Sequence, residues 1–294
     1  MKSPSEEKND APITLVDNQR YKIPELNDRE LPRVTTITGL LDKSRALMNW
    51  SARITAAYAM QQFQSVKDGD MTLEDIIEMD PELFIEEAKA QHELISKKER
   101  DRGSRVHEIA QEMFTQMIKG SEIDLGEVDE DLYAPVNALI EWIKDNAIRP
   151  LNVEITVWSK SFRGYGGRLD VVGIYNNKLL TIDVKSATGI YDDMKLQVAA
   201  YDHAYEERNP GTYTDGAGIL RLDKESGMYE FKEYPKKLVR KHLAQFAHLC
   251  LLWHNREDAR ALSKEINKEK REKKKEAKKK LQKISKTLPY EDPF

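Results

Sequence analysis

This sequence holds a single cysteine in 294 residues. Cys250 therefore has no partner for a disulfide within the chain, and a four-cysteine zinc site is excluded. It lies in Phe246-Ala-His-Leu-Cys-Leu-Leu-Trp253 and reads as a small buried hydrophobe. Long apolar runs are also missing. No stretch approaches the ~20 residues that a membrane span needs, which excludes a helical membrane protein, and no membrane partner is expected. The opening Met1-Lys-Ser-Pro-Ser-Glu-Glu-Lys-Asn-Asp10 has no apolar centre, so it is not a signal peptide. The expectation is a chain that stays in the cytoplasm where it is made.

What the sequence does have is charge. Charged residues make up 33% and hydrophobic ones 39%, the composition expected of a soluble, charge-rich protein, and 294 residues are enough for one sizeable domain with appendages or two small ones. The net charge of −4 hides an asymmetry. Arg256 to Lys286 carries 14 basic and 6 acidic residues, leaving about −12 on the remainder. That Lys/Glu-rich stretch has almost no apolar face and reads as a solvated helical extension.

Taken in order, residues 1–12 are polar and expected to be disordered. Residues 13–31 alternate loosely, as a short hairpin or an extended arm. Thr35 or Thr36 is a candidate cap for the next helix. Residues 40–119 read mostly as helices, over Leu73 to Ile77, Leu83 to Lys97 and Ser104 to Met117. Asp80-Pro81 breaks between the first two, with Asp80 as cap. The last of these helices has an apolar stripe of Val106, Ile109, Ala110, Met113, Phe114 and Met117, with His107 at its edge. An acidic loop and a helix near Tyr133 to Asn146 lead to a strand over Asn152 to Lys160. Later strands are expected over 217–222 and 228–234, then an apolar helix over 236–255. The fold class is α/β (α+β): a central mixed sheet over about 152–234, flanked by helices. A helical N-terminal region and a charged C-terminal helix complete it. The divisions are 1–30, 31–150, 151–255 and 256–294.

Residues 164–201 carry the chemistry. Two apolar runs, Leu169 to Tyr175 and Lys178 to Lys185, flank Asn176-Asn177, a two-residue hairpin turn. The register from that turn places Asp170 across from Asp183. One face then holds Leu169, Val171, Gly173, Leu180, Ile182 and Val184. The other holds Arg168, Asp170, Thr181, Asp183 and Lys185. Like charges directly opposite destabilise a sheet. Either Lys185 and neighbouring charges form a surface ion-pair cluster, or a hard divalent metal neutralises the pair. Gly164-Tyr-Gly-Gly167 is not a dinucleotide loop: the third glycine would fall at Leu169, and a strand pattern follows. Asp192 to Glu207 is helical, with Gln197, Tyr201 and Tyr205 on one edge stripe.

These motifs, Gly-Gly-Arg-Leu-Asp170, Ile-Asp183-Val-Lys185 and Gln197-Val-Ala-Ala-Tyr201, together resemble the PD-(D/E)XK nuclease superfamily and its restriction-endonuclease-like core. Arg-Gly103-Ser-Arg-Val-His107-Glu matches the upstream histidine helix of its RecB-like exonucleases. That group includes the CRISPR-associated exonucleases and the mitochondrial genome maintenance exonuclease. The resemblance covers roughly residues 32–205.

It implies a metal-dependent DNA nuclease, an exonuclease of replication, recombination or repair, in a bacterial or phage-encoded setting. Asp170, Asp183 and Lys185 would be catalytic. One or two Mg²⁺ or Mn²⁺ ions would be held by His107, Asp170, Asp183 and the Val184 carbonyl. Glu154 would be a further ligand or an orienting group, or simply a structural salt bridge. Gln197, Tyr201, Arg102, Arg105 and Ser186 would contact DNA, Tyr201 by offering a stacking surface. The basic extension would add nonspecific DNA affinity. One cysteine excludes the four-cysteine iron–sulfur cluster of the CRISPR-associated relatives. Leu288-Pro-Tyr-Glu-Asp-Pro-Phe294 resembles the acidic tip of bacterial single-stranded-DNA-binding proteins, which implies a replication partner. The alternatives are a non-catalytic DNA-binding module with this fold and a restriction-like endonuclease.

Overall fold

The computed structural model describes residues 13–17 and 19–287. The polar start and the acidic tip, with the expectations attached to them, lie outside the described residues. The chain opens with a three-stranded antiparallel meander of β1 (Thr14–Asp17), β2 (Arg20–Ile23) and β3 (Arg29–Pro32). It buries Tyr21, Ile23 and Leu31 against Trp158. α1 (Val34–Thr38) follows. Its cap position is Arg33, not Thr35 or Thr36, and no side chain bonds the helix start there. Thr36 Oγ1 instead donates to the Gln19 carbonyl, tying α1 to the meander.

α2 (Ser44–Asp68), α3 (Leu73–Glu78) and α4 (Pro81–Lys119) form the helical region. Asp80 caps α4, accepting from the Glu82 and Leu83 amides at 2.8 and 3.3 Å. The two helices expected over 83–97 and 104–117 are one 39-residue helix. Gly103 sits inside it. A mid-helix glycine costs about 1 kcal/mol against alanine, which the buried Val106, Ala110, Met113 and Phe114 that follow can offset.

α5 (Tyr133–Asn146) leads into β4 (Arg149–Ser159), β5 (Tyr165–Tyr175) and β6 (Lys178–Ser186); α6 (Asp192–Arg208) crosses to β7 (Gly216–Leu222), and β8 (Tyr229–Pro235) runs into α7 (Lys236–Thr287). The sheet order is β4-β5-β6-β7-β8. Only β6 and β7 pair in parallel, as their helical crossover requires; the remaining pairs are antiparallel. This is the expected mixed sheet flanked by helices. Asn176 and Asn177 take φ values of 47° and 61°, the left-handed pair that a tight hairpin turn needs.

Two apolar layers cover the sheet. On one face Val171, Ile182 and Val184 pack with Phe114 of α4 and Trp142 of α5. On the other, Leu169 and Val172 pack with Ala200 of α6, Phe246 of α7 and Ile37 of α1. Strict alternation put Leu169 with Val171. The structure places them in different layers, on either side of the step where the β4–β5 pairing skips Glu154 and Asp170. α7 is tied down at its start, where Lys236 Nζ donates to Glu206 at 2.6 Å and Thr214 at 2.7 Å. Arg163 reaches Asp258 further along, at 2.7 Å. The apolar helix and the charged extension, expected as separate segments, are one 52-residue helix.

Candidate metal centre

The site forms where strand pairing lapses. β4 and β5 pair Val153 with Val171 and Ile155 with Leu169, and the intervening Glu154/Asp170 step is skipped. Glu154 has φ +53°, a left-handed conformation uncommon outside glycine, asparagine and aspartate. Local strain of this kind concentrates at functional sites. On the other side, β5 pairs with β6 from Tyr175/Lys178 as far as Val171/Ile182 and then stops. The expected Asp170–Asp183 pair is the next step, and the described ladder ends short of it. Asp170 Oδ2 accepts the Val184 amide at 2.7 Å. Its carboxylate takes a backbone bond instead of facing Asp183 across a regular ladder.

α4 brings His107 to the same place, with Nδ1 3.4 Å from Asp170 Oδ2. His107, Glu154 and Asp170 each offer one donor atom, and the three atoms lie within 4.8 Å of one another. Donors on opposite sides of an octahedral ion at 2.0–2.1 Å stand about 4.2 Å apart. One imidazole and two carboxylates gathered within 4.8 Å are compatible with a divalent metal ion. Phe114, Val153, Val171 and Val184 wall the recess, so charges there meet a low dielectric.

Asp183 lies outside that donor set. It is buried; its Oδ2 is 2.7 Å from Lys185 Nζ, and its Oδ1 accepts from Gln197 Nε2 at 3.3 Å. Burial pushes its carboxyl up to about 6, with Asp170 adding repulsion and Lys185 pulling the other way. Burial also acts against charge on Lys185, yet Asp183 and Asp170 outweigh it and hold the ammonium above its ordinary value. His107 is similar: burial lowers its pKa, Asp170 more than restores it, and the net direction is up. For Asp170, burial is outweighed by His107, Lys185 and the Val184 amide, so its carboxyl is held down. Burial and Asp170 both raise Glu154.

The stripe expected to lie beside DNA is buried. Gln197, Tyr201 and Tyr205 are 8%, 4% and 8% exposed. Tyr201 offers no open ring face for a base, because its ring lies against Gly167, where any Cβ would overlap it. Its hydroxyl accepts from Gln197 at 3.1 Å, so the pair braces Asp183. The expected phosphate contacts Arg102 and Arg105 are engaged within the protein. Arg102 donates to the Lys224 carbonyl, and Arg105 pairs with Asp129 and Asp131 at 2.5 Å each. Ser186 ends β6, half-buried opposite Leu222.

One residue outside the expected set belongs to the centre. The Arg168 guanidinium pairs with Glu154, keeping that carboxylate partly neutralised beside Asp170. Its place two residues before Asp170 on β5 was the available signal. No protein-family pattern matches the sequence, and no curated protein does. Among solved structures, the crystal structure of LHK-Exo in complex with dAMP is similar, with a TM-score of 0.29 and 12% sequence identity over 52% of this chain and 84% of that one.

Proposed function

We propose that this chain is a divalent-metal-dependent DNA nuclease that hydrolyses phosphodiesters from a DNA end, as an exonuclease does. The observation that carries the reading is the gathering of His107, Glu154 and Asp170 donors within 4.8 Å, beside the buried Asp183–Lys185 pair. His107, Glu154 and Asp170 would hold the ion, with the Val184 carbonyl adding an oxygen from β6, while Asp183, expected as a ligand, faces Lys185 and Gln197. When bound, such an ion polarises a phosphoryl oxygen and lowers the pKa of a coordinated water.

The protein's own groups supply the rest. Lys185 is held cationic by Asp183 and Asp170, so it can donate to a phosphoryl oxygen as charge builds there. Gln197 fixes the Asp183 rotamer by donating to Oδ1, and Tyr201 fixes Gln197. The apolar walls lower the dielectric around the charged groups. Ser186, half-buried at the end of β6, would contact DNA beside the ion. Digestion of end-labelled single- and double-stranded DNA with Mg²⁺, Mn²⁺ or chelator tests the proposal. Metal-dependent shortening from an end supports it. Intact DNA under every metal condition rules it out, and cutting of a circular substrate replaces the exonuclease with an endonuclease.

A further inference from the structure

The final part of α7 is a solvated helix. Arg20 and Arg163 hold Glu257 and Asp258, and every described residue from Ala261 to Leu281 is exposed. The 27 residues from Ala261 to Thr287 extend about 40 Å at 1.5 Å per residue. The four glutamates cluster on one side, while lysines and arginines occur all round the helix. At 100° per residue, Lys264, Lys268, Arg271, Lys275 and Lys278 fall within an arc of about 80°. Glu265, Glu269, Glu272 and Glu276 form a neighbouring stripe about 60° wide.

Within each stripe, neighbours three and four apart carry like charge, which disfavours an isolated helix. Opposite charges do adjoin across the stripe boundary, as in Glu265/Lys268 and Glu272/Lys275. Among the described residues past Arg260, however, none closes an ion pair. The five cations span about 21 Å along the axis. Over that length a duplex carries about twelve phosphates at 1.7 Å of axis each, wound around it, and the cations meet those that face the helix. A helical row of cations matches a polyanion that is straight over such lengths, and duplex DNA has a persistence length of about 150 base pairs.

We infer that the Lys264–Lys268–Arg271–Lys275–Lys278 face of α7 is a docking surface for the phosphate backbone of double-stranded DNA. This goes beyond the metal centre and does not depend on cleavage. The test uses the full chain in chelator with a labelled 30-base-pair duplex, titrated across a salt series. The variant K268E/E269K/K275E/E276K exchanges neighbouring charges, so composition and net charge stay constant while the row is broken. Wild-type protein should show affinity falling steeply with salt. The variant should bind at least tenfold more weakly at 100 mM salt, with a log–log slope shallower by about two contacts. Circular dichroism reports whether the variant's helix survives. The milder K268Q/K275Q pair, which preserves helix propensity, should lose affinity in the same direction. Equal affinity and slope for wild type and both variants overturn the inference. So does sedimentation showing that the stripes join two copies of the chain in a dimer that the exchange dissolves, with no DNA bound by either form.

Discussion

Asp170 Oδ2 accepts the Val184 amide at 2.7 Å while standing 3.4 Å from His107 Nδ1. One carboxylate thus replaces a missing step of strand pairing and borders the imidazole of a helix distant in sequence. Asp170→Ala should remove both relationships. Calorimetric titration with Mn²⁺ should show affinity reduced by a factor of 100 or more. Urea unfolding should show about 1–3 kcal/mol of lost stability, from the unsatisfied Val184 amide. Mn²⁺ binding equal to wild type would remove Asp170 from the centre.

Lys185 is assigned to charge stabilisation and not to metal binding. Lys185→Ala should lower the cleavage rate by about 100-fold or more, while Mn²⁺ affinity stays within a few-fold of wild type. The metal-free variant should lose up to about 3 kcal/mol, because Asp183 is left buried without its partner. Wild-type cleavage by this variant contradicts the role.

Gly167→Ala tests the brace behind Asp183. An added Cβ overlaps the Tyr201 ring, and Tyr201 holds Gln197 on Asp183. Thermal unfolding should show a loss of about 1–3 kcal/mol, typical of overpacking. Tyr201→Phe keeps the ring and should retain most of that stability. Equal stability for Gly167→Ala and wild type would mean the ring can move freely.

The metal-free centre should lose stability as pH rises. Asp183 sits at about 6 in the folded protein, against an ordinary 3.8. Between those values the folded state binds more protons than the unfolded chain, so this contribution falls with rising pH. His107 is also raised, from 6.5, and its contribution is lost as pH climbs through its folded pKa. Metal binding requires the deprotonated forms. The rise in Tm caused by Mn²⁺ should therefore be larger at pH 7.5 than at pH 5.5. The reverse order would show that protons do not compete for the site.

Much of the framework was legible in the sequence. The Asn176-Asn177 turn and the apolar runs on either side of it placed β5 and β6, and the Asp80 cap placed the start of α4. The run of helices before the sheet was readable from apolar spacing. Helix length was not: Gly103 marks a weak point that packing of Phe114 and its neighbours overrides, so α4 continues through it. The bend at Glu154 and the early end of the β5–β6 ladder escaped alternation rules, since period-two patterns assume unbroken pairing. Burial of Gln197 and Tyr201 escaped as well, because helical spacing locates an edge stripe but not what lies against it. Gly167 is the one local hint, a residue with no side chain where the Tyr201 ring needs room.

Anomalous diffraction from a crystal soaked in MnCl₂ addresses the metal centre directly. The expected result is a manganese peak bounded by His107 Nδ1, Glu154 and Asp170, with Lys185 nearby and not coordinated. A soaked crystal with no peak there, or with manganese held only by surface carboxylates elsewhere, would contradict a metal-dependent nuclease at this site.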